Sequence, residues 1–564
     1  MTNRLQYLYL SVVIFTNVVQ FSICETRVQV NSRIPEDLFL QPLASRANSP
    51  NNGRGSRPSS SSTLLEPIII HHTKGGKDKV DDDSSNELCQ GACISSKLCE
   101  HHGGQLKGSC AKGTTCCQFE RTCGEISREK VSFFQSPNYP VLINDSLDCT
   151  YQVYPDEDTC ALRVEFLSFK IHRAVHYSKT EKCISDALFL LNTDQGANEP
   201  LCDMENHTAI IYVKKDAIKP TKFILISQSA EVKWNLKITQ INCKKISGWQ
   251  NEPKCGRQLM YDSESENDNG NNVDDDTDDS VSKEFSNESR RESLQLQPLI
   301  VNGKDAEKRE FPWQISLQLK GKSTHRCGGS ILNNRFIVTA AHCVMRNAFE
   351  FRNKMKVVVG DYMLNATGEV EHQEFEIESI IGHFHYKPHH SHVNDIAILK
   401  VAGTINYSSN IQPVCLPPAN YSTDGKLGWV SGWGRLNGSD PKATASTLQK
   451  LQVSIIDDEK CRALVQQEVQ KILKRNVTVT EMEIMATLGR SKTQLCAQPK
   501  LNSAVCFGDS GGPLVVQMEE DGRYMQVGVV SYGLGKCVTE RNPPAAYTRI
   551  TEFLDFIAIA TADT

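Results

Sequence analysis

Past its first two dozen residues, this 564-residue chain has no apolar run long enough to cross a bilayer. It has no excess of basic charge either. Its 62 Lys and Arg stand against 67 Asp and Glu, a net charge of -5, which argues against a nucleic-acid partner. Residues 25–86 lack any periodic apolar pattern and are rich in Ser, Asn, Pro and Gly, so they read as a disordered spacer. The stretch from Asp262 to Asp279 carries nine acids and no Lys or Arg. Such a run repels itself and reads as an extended, exposed linker, open to proteolysis.

Cysteine, by contrast, is plentiful. Twenty-one cysteines, eight Asn-x-Ser/Thr sequons and a leading apolar segment point to an oxidising, secreted setting. Residues 1–24 read as a signal peptide: Arg4 precedes an apolar run through Val19, and Ser22-Ile23-Cys24 ends it. A signal anchor is the alternative. Removal after Cys24 leaves twenty cysteines, an even number, which favours cleavage.

Six of them, Cys89, Cys93, Cys99, Cys110, Cys116 and Cys117, crowd a segment too short for a hydrophobic core. Three disulfides would hold it, with connectivity left open; a zinc site is the rival reading, disfavoured by secretion and by the adjacent Cys116-Cys117 pair. This segment, 87–118, resembles the clip-type knots of arthropod protease zymogens. Residues 119–246 resemble a CUB domain, on Cys123-Gly124, Phe134-Gln135-Ser136-Pro137-Asn138-Tyr139-Pro140 and Cys149-Thr150-Tyr151, followed by alternation such as Leu162-Arg163-Val164-Glu165-Phe166. The resemblance implies a β-sandwich that binds a protein partner, with Cys123–Cys149 and Cys183–Cys202 bridged and Cys160–Cys243 as an additional pair. A calcium site is expected to be weak: Asp186 fits one ligand position, but Lys170 and His172 stand where acids belong. Residues 247–299 are the acidic linker and activation segment.

From Ile300 to Thr564 short alternating runs such as Gln314–Leu319 and Arg335–Thr339 give an all-β pattern. Two helical spacings interrupt it, at Val465, Val469, Ile472 and Leu473, and in Phe553–Ile559. In Cys506-Phe507-Gly508-Asp509-Ser510-Gly511-Gly512-Pro513-Leu514, glycines hem in one serine, as a nucleophile needs where backbone N–H groups must approach a reacting carbonyl. Thr339-Ala340-Ala341-His342-Cys343 supplies a histidine on a small-residue turn. Asn394-Asp395-Ile396-Ala397-Ile398-Leu399 supplies a carboxylate entering an apolar strand. Ile300-Val301-Asn302-Gly303, followed by Phe311-Pro312-Trp313-Gln314, supplies a candidate new N-terminus.

These four stretches, in this order, resemble the chymotrypsin-type serine proteases over 300–564. The resemblance implies two packed six-stranded antiparallel β-barrels, with Ser510 as nucleophile, His342 as general base and acid, and Asp395 orienting the imidazole. The N–H groups of Gly508 and Ser510 form the oxyanion hole. It implies disulfides Cys327–Cys343, Cys461–Cys496, Cys506–Cys537 and a tether from Cys255 to Cys415. By register, the specificity pocket has Ala504 at its base and Gly533 and Ala545 as walls. No carboxylate lies there, so cleavage after Leu, Met, Phe or Tyr is expected, since a buried Arg or Lys would lack a partner.

Activation requires a cut after Leu299, where most relatives carry Arg or Lys, so that the Ile300 amine can meet Asp509. A Leu at the cut suits the apolar pocket and points to autoactivation; a separate chymotrypsin- or elastase-like activator is the other reading. No cofactor is required. Calcium near Asp361 and Glu371 is conceivable, and inhibitory zinc could be held by His383, His385, His389, His390 and His392, although a polar surface loop is the simpler account. The whole reads as a secreted endopeptidase zymogen acting on protein substrates, with a regulated role in an extracellular cascade by family analogy. The competing function is a catalytically silent homologue that acts by CUB-mediated binding.

Overall fold

The computed structural model describes residues 89–171, 183, 186–194, 200–202, 204, 207–214, 219–229, 231–246, 248–258, 303–345, 348–364, 366, 368, 370–386, 392–435, 444–472, 487–499, 503–533 and 543–562. Residues 1–88 and 259–302, with the leader, the spacer, most of the acidic linker, Leu299 and Ile300, lie outside the described residues.

The cysteine-rich segment folds as β1 (Ala92–Ile94), β2 (Gln105–Ser109) and β3 (Thr115–Gln118), with β3 central and helix α1 (Ser96–His101) alongside. Its core is a small cluster of Cys99, Cys117 and Phe119, with Cys116 also buried. So small a core leaves the work to covalent bonds, and the pairs are Cys89–Cys116, Cys93–Cys110 and Cys99–Cys117.

The next strands are β4 (Glu120–Arg121), β5 (Ile126–Ser127), β6 (Val131–Gln135), β7 (Leu147–Val153), β8 (Thr159–Lys170), β9 (Asp186–Leu191), β10 (Thr208–Tyr212), β11 (Thr221–Ser227) and β12 (Lys233–Asn242). One layer runs β5-β7-β11-β9, the other β10-β8-β12-β6-β4. The period-two pattern drives the packing: Leu162, Val164 and Phe166 on β8 are buried, while Arg163 and Glu165 are partly exposed. Both layers share one apolar core, with Phe134, Tyr151, Phe166, Leu188, Phe223 and Trp234 at its centre.

After the edge strand β13 (Lys304–Asp305), β14 (Gln314–Leu319), β15 (His325–Ile331), β16 (Phe336–Thr339), β17 (Met355–Val359), β18 (Gln373–Gly382) and β19 (Ala397–Val401) close a six-stranded antiparallel barrel, β17 pairing with both β14 and β18. β20 (Leu427–Gly432), β21 (Gln449–Ile456), β22 (Gln494–Pro499), β23 (Pro513–Gln517), β24 (Tyr524–Gly533) and β25 (Ala545–Arg549) close a second one through β21 and β22. Closure removes the exposed edges an open sheet would leave. Helix α2 (Ala341–Val344) and helix α3 (Ala348–Lys354) belong to the first barrel's connections. Helix α4 (Asp458–Ile472) and helix α5 (Leu554–Thr561) occupy the two segments with helical spacing.

One layer of the two-layered module, β10-β8-β12-β6-β4, and the first barrel form one continuous sheet. β10 pairs in parallel with β18 through Thr208 opposite Ile381 and Ala209 opposite Gly382. Ile210 and Ile241 bury against the cluster that holds Phe556 and Ile557. Arg163 donates to the carbonyls of Ile559 at 2.7 Å and Ala562 at 3.0 Å, satisfying the unpaired acceptors at the end of α5. The sequence pattern presents the two modules as successive units and gives no sign of this junction.

Candidate active site

β16 ends at Thr339, and the buried Ala340 and Ala341 let the chain turn directly into α2, which presents His342. Asp395 precedes β19 and is fully buried. Its Oδ1 accepts from the His342 backbone N–H at 2.8 Å, and its Oδ2 lies 2.7 Å from His342 Nδ1. The Ser531 hydroxyl donates to the same Oδ2 at 2.5 Å, and Thr548 Oγ1 donates to the Asp395 carbonyl at 2.7 Å. Burial pushes the Asp395 carboxyl up, but His342 and the Ser531 hydrogen bond outweigh it and hold the carboxyl below its usual range. Burial pushes the His342 imidazole down; the Asp395 charge and hydrogen bond outweigh that and hold it above 6.5.

Ser510 sits on the turn before β23. Gly508 has φ of 106° and Gly511 has φ of 81°, conformations that glycine adopts without strain. A side chain at Gly511 would run into Thr339 Oγ1, and one at Gly508 would come within 2.9 Å of Gly434 Cα. The turn is also tied to the first barrel, since the Gly328 N–H donates to the Ser510 carbonyl at 2.8 Å, and Thr339 Oγ1 donates to the Gly328 carbonyl at 2.8 Å. Thr339 and Gly328 thus hold the Ser510 turn against the end of the strand that leads to His342.

Asp509 is buried in a glycine cradle. Its two carboxylate oxygens accept from the backbone N–H groups of Gly434 and Cys506, each at 2.9 Å. A Cβ at Gly432 or Gly434 would strike the carboxylate. Burial pushes Asp509 up to about 6, against the pull of those two hydrogen bonds. Its expected partner, Ile300, lies outside the described residues.

Ala504 and Ala545 are buried, and Gly533 pairs with Ala545 across β24 and β25. A Cβ at Gly533 would stand 3.6 Å from the carbonyl of Val505, the residue after Ala504. Cys123–Cys149, Cys160–Cys243, Cys183–Cys202, Cys255–Cys415, Cys327–Cys343 and Cys461–Cys496 are bonded. Cys506 is disulfide-bonded too; Cys537 lies outside the described residues.

The histidine crowd separates. His392 stands edge-on to His342 with ring centroids 5.6 Å apart, and ligand atoms of His342, His392 and Asp395 lie within 4.8 Å of one another. His383 is packed on Phe553 and Phe556, and burial, followed by His385, pushes it down to about 3. His389 and His390 lie outside the described residues, as does His172. Asp186 Oδ1 accepts from Ser227 Oγ and from the Gln228 and Ser229 N–H groups, and Lys170 pairs with Glu231 at 3.1 Å. Asp361 accepts from Gln318 at 3.1 Å.

Sequence reasoning missed Ser531 and His325. His325 bridges the Ser316 hydroxyl at 2.8 Å and the Gly508 carbonyl at 2.8 Å, and so braces the Gly508–Asp509 peptide, which adjoins the one that carries the Gly508 N–H. Burial pushes it down to about 4, so it is neutral there. A single histidine two residues before a cysteine carries no spacing signal that would have marked it.

Residues 300–557 match the family model described as Trypsin. The chain is 32% identical over 282 residues to the CLIP domain-containing serine protease B4 of Anopheles gambiae, covering 47% of this chain and 71% of that protein. It is 34% identical over 238 residues to Ovochymase-2 of Mus musculus, covering 42% of this chain and 35% of the relative. With the Suppressor of tumorigenicity 14 protein homolog of Bos taurus it shares 32% over 273 residues, 47% of this chain and 28% of the relative. Against the last two, the chain matches about a third of their length.

Proposed function

Because the chain belongs to the trypsin family of serine proteases, we propose that it is the secreted zymogen of an endopeptidase that cuts protein substrates after apolar residues. The observation that carries this reading is the pairing of half-buried His342 with fully buried Asp395, 2.7 Å apart, beside the glycine-bounded turn of Ser510. In this reading Ser510 Oγ attacks the scissile carbonyl while His342 Nε2 takes its proton, later returning it to the leaving amine. Asp395 keeps the other imidazole nitrogen protonated and stabilises the cation that forms. The N–H groups of Gly508 and Ser510 receive the oxyanion, worth roughly 3–4 kcal/mol each.

A cut after Leu299 switches the zymogen on. The amine it frees on Ile300 meets Asp509, a buried carboxylate with no cation against it among the described residues. Ala504, Gly533 and Ala545 form an apolar pocket suited to Leu, Met, Phe or Tyr. The two-layered module at 119–246 is read as a CUB domain and the knot before it as clip-like; they would bring a protein partner to a protease working in an extracellular cascade. The many disulfides support secretion. Zinc taken up by His342 and His392 would remove the base and inhibit.

The test is labelling by an organophosphate after the chain is cut between Leu299 and Ile300. Label on wild type and none on Ser510→Ala is expected. A correctly cut wild type that takes no label would leave the silent, CUB-mediated binding protein as the better account. Peptide profiling of the cut, unlabelled form then tests the pocket, and efficient hydrolysis after Arg or Lys would overturn the apolar preference.

A further inference from the structure

Beside the Ser510 turn lies a cleft of about 450 Å³ that the catalytic steps do not use. Gly508, Phe507 and His325 form its inner wall, and Arg326, Arg435 and Thr444 stand around it. None of Ala504, Gly533 and Ala545 contributes to it. The cleft reaches the Ser510 turn through Gly508 and shares no lining residue with the apolar pocket of the protease reading. In that reading a substrate strand whose apolar side chain fills the pocket runs on past Ser510 beside Gly508. Residues of an extended strand are spaced ~3.3–3.6 Å apart, so the first residue after the cut bond stays against Ser510 and His342, and the second arrives at the cleft.

The chemistry of the cleft is one-sided. Among the described residues its charged lining residues are Arg326 and Arg435, with no Asp or Glu. His325 adds no positive charge at neutral pH, because burial pushes it down to about 4. The Arg435 guanidinium lies 5.1 Å from the centroid of the Phe507 ring, and the Arg435 N–H donates to the Phe507 carbonyl at 2.8 Å. Stacking on the ring fixes the plane of the guanidinium while leaving its N–H edge to bond. Two arginines lining one space in a chain of net charge -5 form a local field opposite to the molecule's own.

Resting on the protease reading, we propose that this cleft is a subsite for an acidic side chain at the second residue after the cut bond, read by Arg326 and Arg435. A carboxylate there accepts charge-assisted hydrogen bonds from planar donors; a Lys or Arg meets like charge. The chain's own activation bond is followed by Ile300 and then Val301, so it offers the subsite no carboxylate.

The experiment uses the full chain cut between Leu299 and Ile300 and internally quenched peptides that are identical except at the second residue after a Leu. With Glu there, kcat/KM should exceed the Ala peptide by about tenfold and the Lys peptide by more, the advantage shrinking with added salt. In Arg326→Gln/Arg435→Gln the Glu-to-Ala ratio should fall to near one. A ratio near one in the wild type, a preference for Lys, or a ratio untouched by the double substitution overturns the proposal while leaving the protease reading intact. Absence of both peptide cleavage and organophosphate label overturns the protease reading and this subsite with it. Ser510→Ala protein, titrated with the fluorescent Glu and Ala peptides, reads the same discrimination as a ratio of Kd values. Equal binding there also counts against the subsite.

Discussion

Two fully buried carboxylates of the second half of the chain, Asp395 and Asp509, sit in opposite situations. Asp395 meets a backbone N–H, an imidazole and a hydroxyl, and its carboxyl is held below the usual range. Asp509 meets two backbone N–H groups only, and burial pushes it up to about 6. Two hydrogen bonds from neutral donors do not offset full burial; an adjacent imidazole with a third donor does. One carboxylate is complete as the chain stands. The other is held up to about 6 by burial, and in the proposed reading a cation arriving beside it would favour its anion.

The largest effects fall on the completed site. Ser510→Ala should lower turnover by about six orders of magnitude in the cut chain. Asp395→Asn should lower kcat by about 10⁴ by the template for this family, because the amide favours the wrong imidazole tautomer. Single-turnover kinetics on a Leu peptide would read both. A loss for Asp395→Asn of only a few-fold would mean that His342 does not depend on this pair.

Next comes the incomplete site, and its sign differs with the state of the chain. A carboxyl raised from 3.8 to about 6 favours the folded state while protonated and disfavours it as pH rises through that window. At pH 7 the cost in the uncut chain is about 3 kcal/mol, since each tenfold change in the ionisation constant is worth roughly 1.4 kcal/mol. Uncut Asp509→Asn should therefore lose less stability than wild type between pH 4 and pH 7 in thermal melts, whatever the offset from the altered hydrogen bonds. In the cut chain the same substitution should lower activity, since it removes the partner of the Ile300 amine and about 3–5 kcal/mol of ordering. Parallel melting curves for wild type and variant across that range would show that Asp509 is not the charged group in waiting.

These differences show what a sequence can disclose. Ser510, His342 and Asp395 were legible because their roles demand small or apolar neighbours in the same short stretch: Gly508 and Gly511 around the serine, Ala340 and Ala341 before the histidine, Ile396 to Leu399 after the aspartate. The all-β character was legible from alternation, as in β14, while the two closed barrels were expected only from the family resemblance. Ser531 was not, because a hydroxyl 136 residues from Asp395 meets it only once β24 is in the second barrel. Likewise the pairing of Thr208 with Ile381 follows from where two strand edges come to lie, and edge strands carry no mark of their future neighbour. Six cysteines between 89 and 117 allow fifteen pairings, and only the fold selects one.

The smallest effect expected isolates the hydroxyl that makes Asp395 different. Ser531 Oγ and His342 Nδ1 share Oδ2, so the hydroxyl draws off part of the charge that the imidazole would otherwise feel. In Ser531→Ala the imidazole receives more of it, and the cationic form of His342 gains. His342 must be neutral to accept the Ser510 proton, so activity is lost as pH falls through its pKa, which the wild type already holds above 6.5. The acid limb of the kcat/KM profile should move to higher pH in Ser531→Ala, with activity on the alkaline plateau lower by about tenfold through loss of one hydrogen bond to a charged acceptor. The Asp509 contribution to the pH dependence of uncut-chain stability should stay as in wild type, because Ser531 does not touch that carboxylate. A limb that stays in place, or moves to lower pH, would mean that the hydroxyl only positions Asp395 and does not compete with the imidazole for its charge.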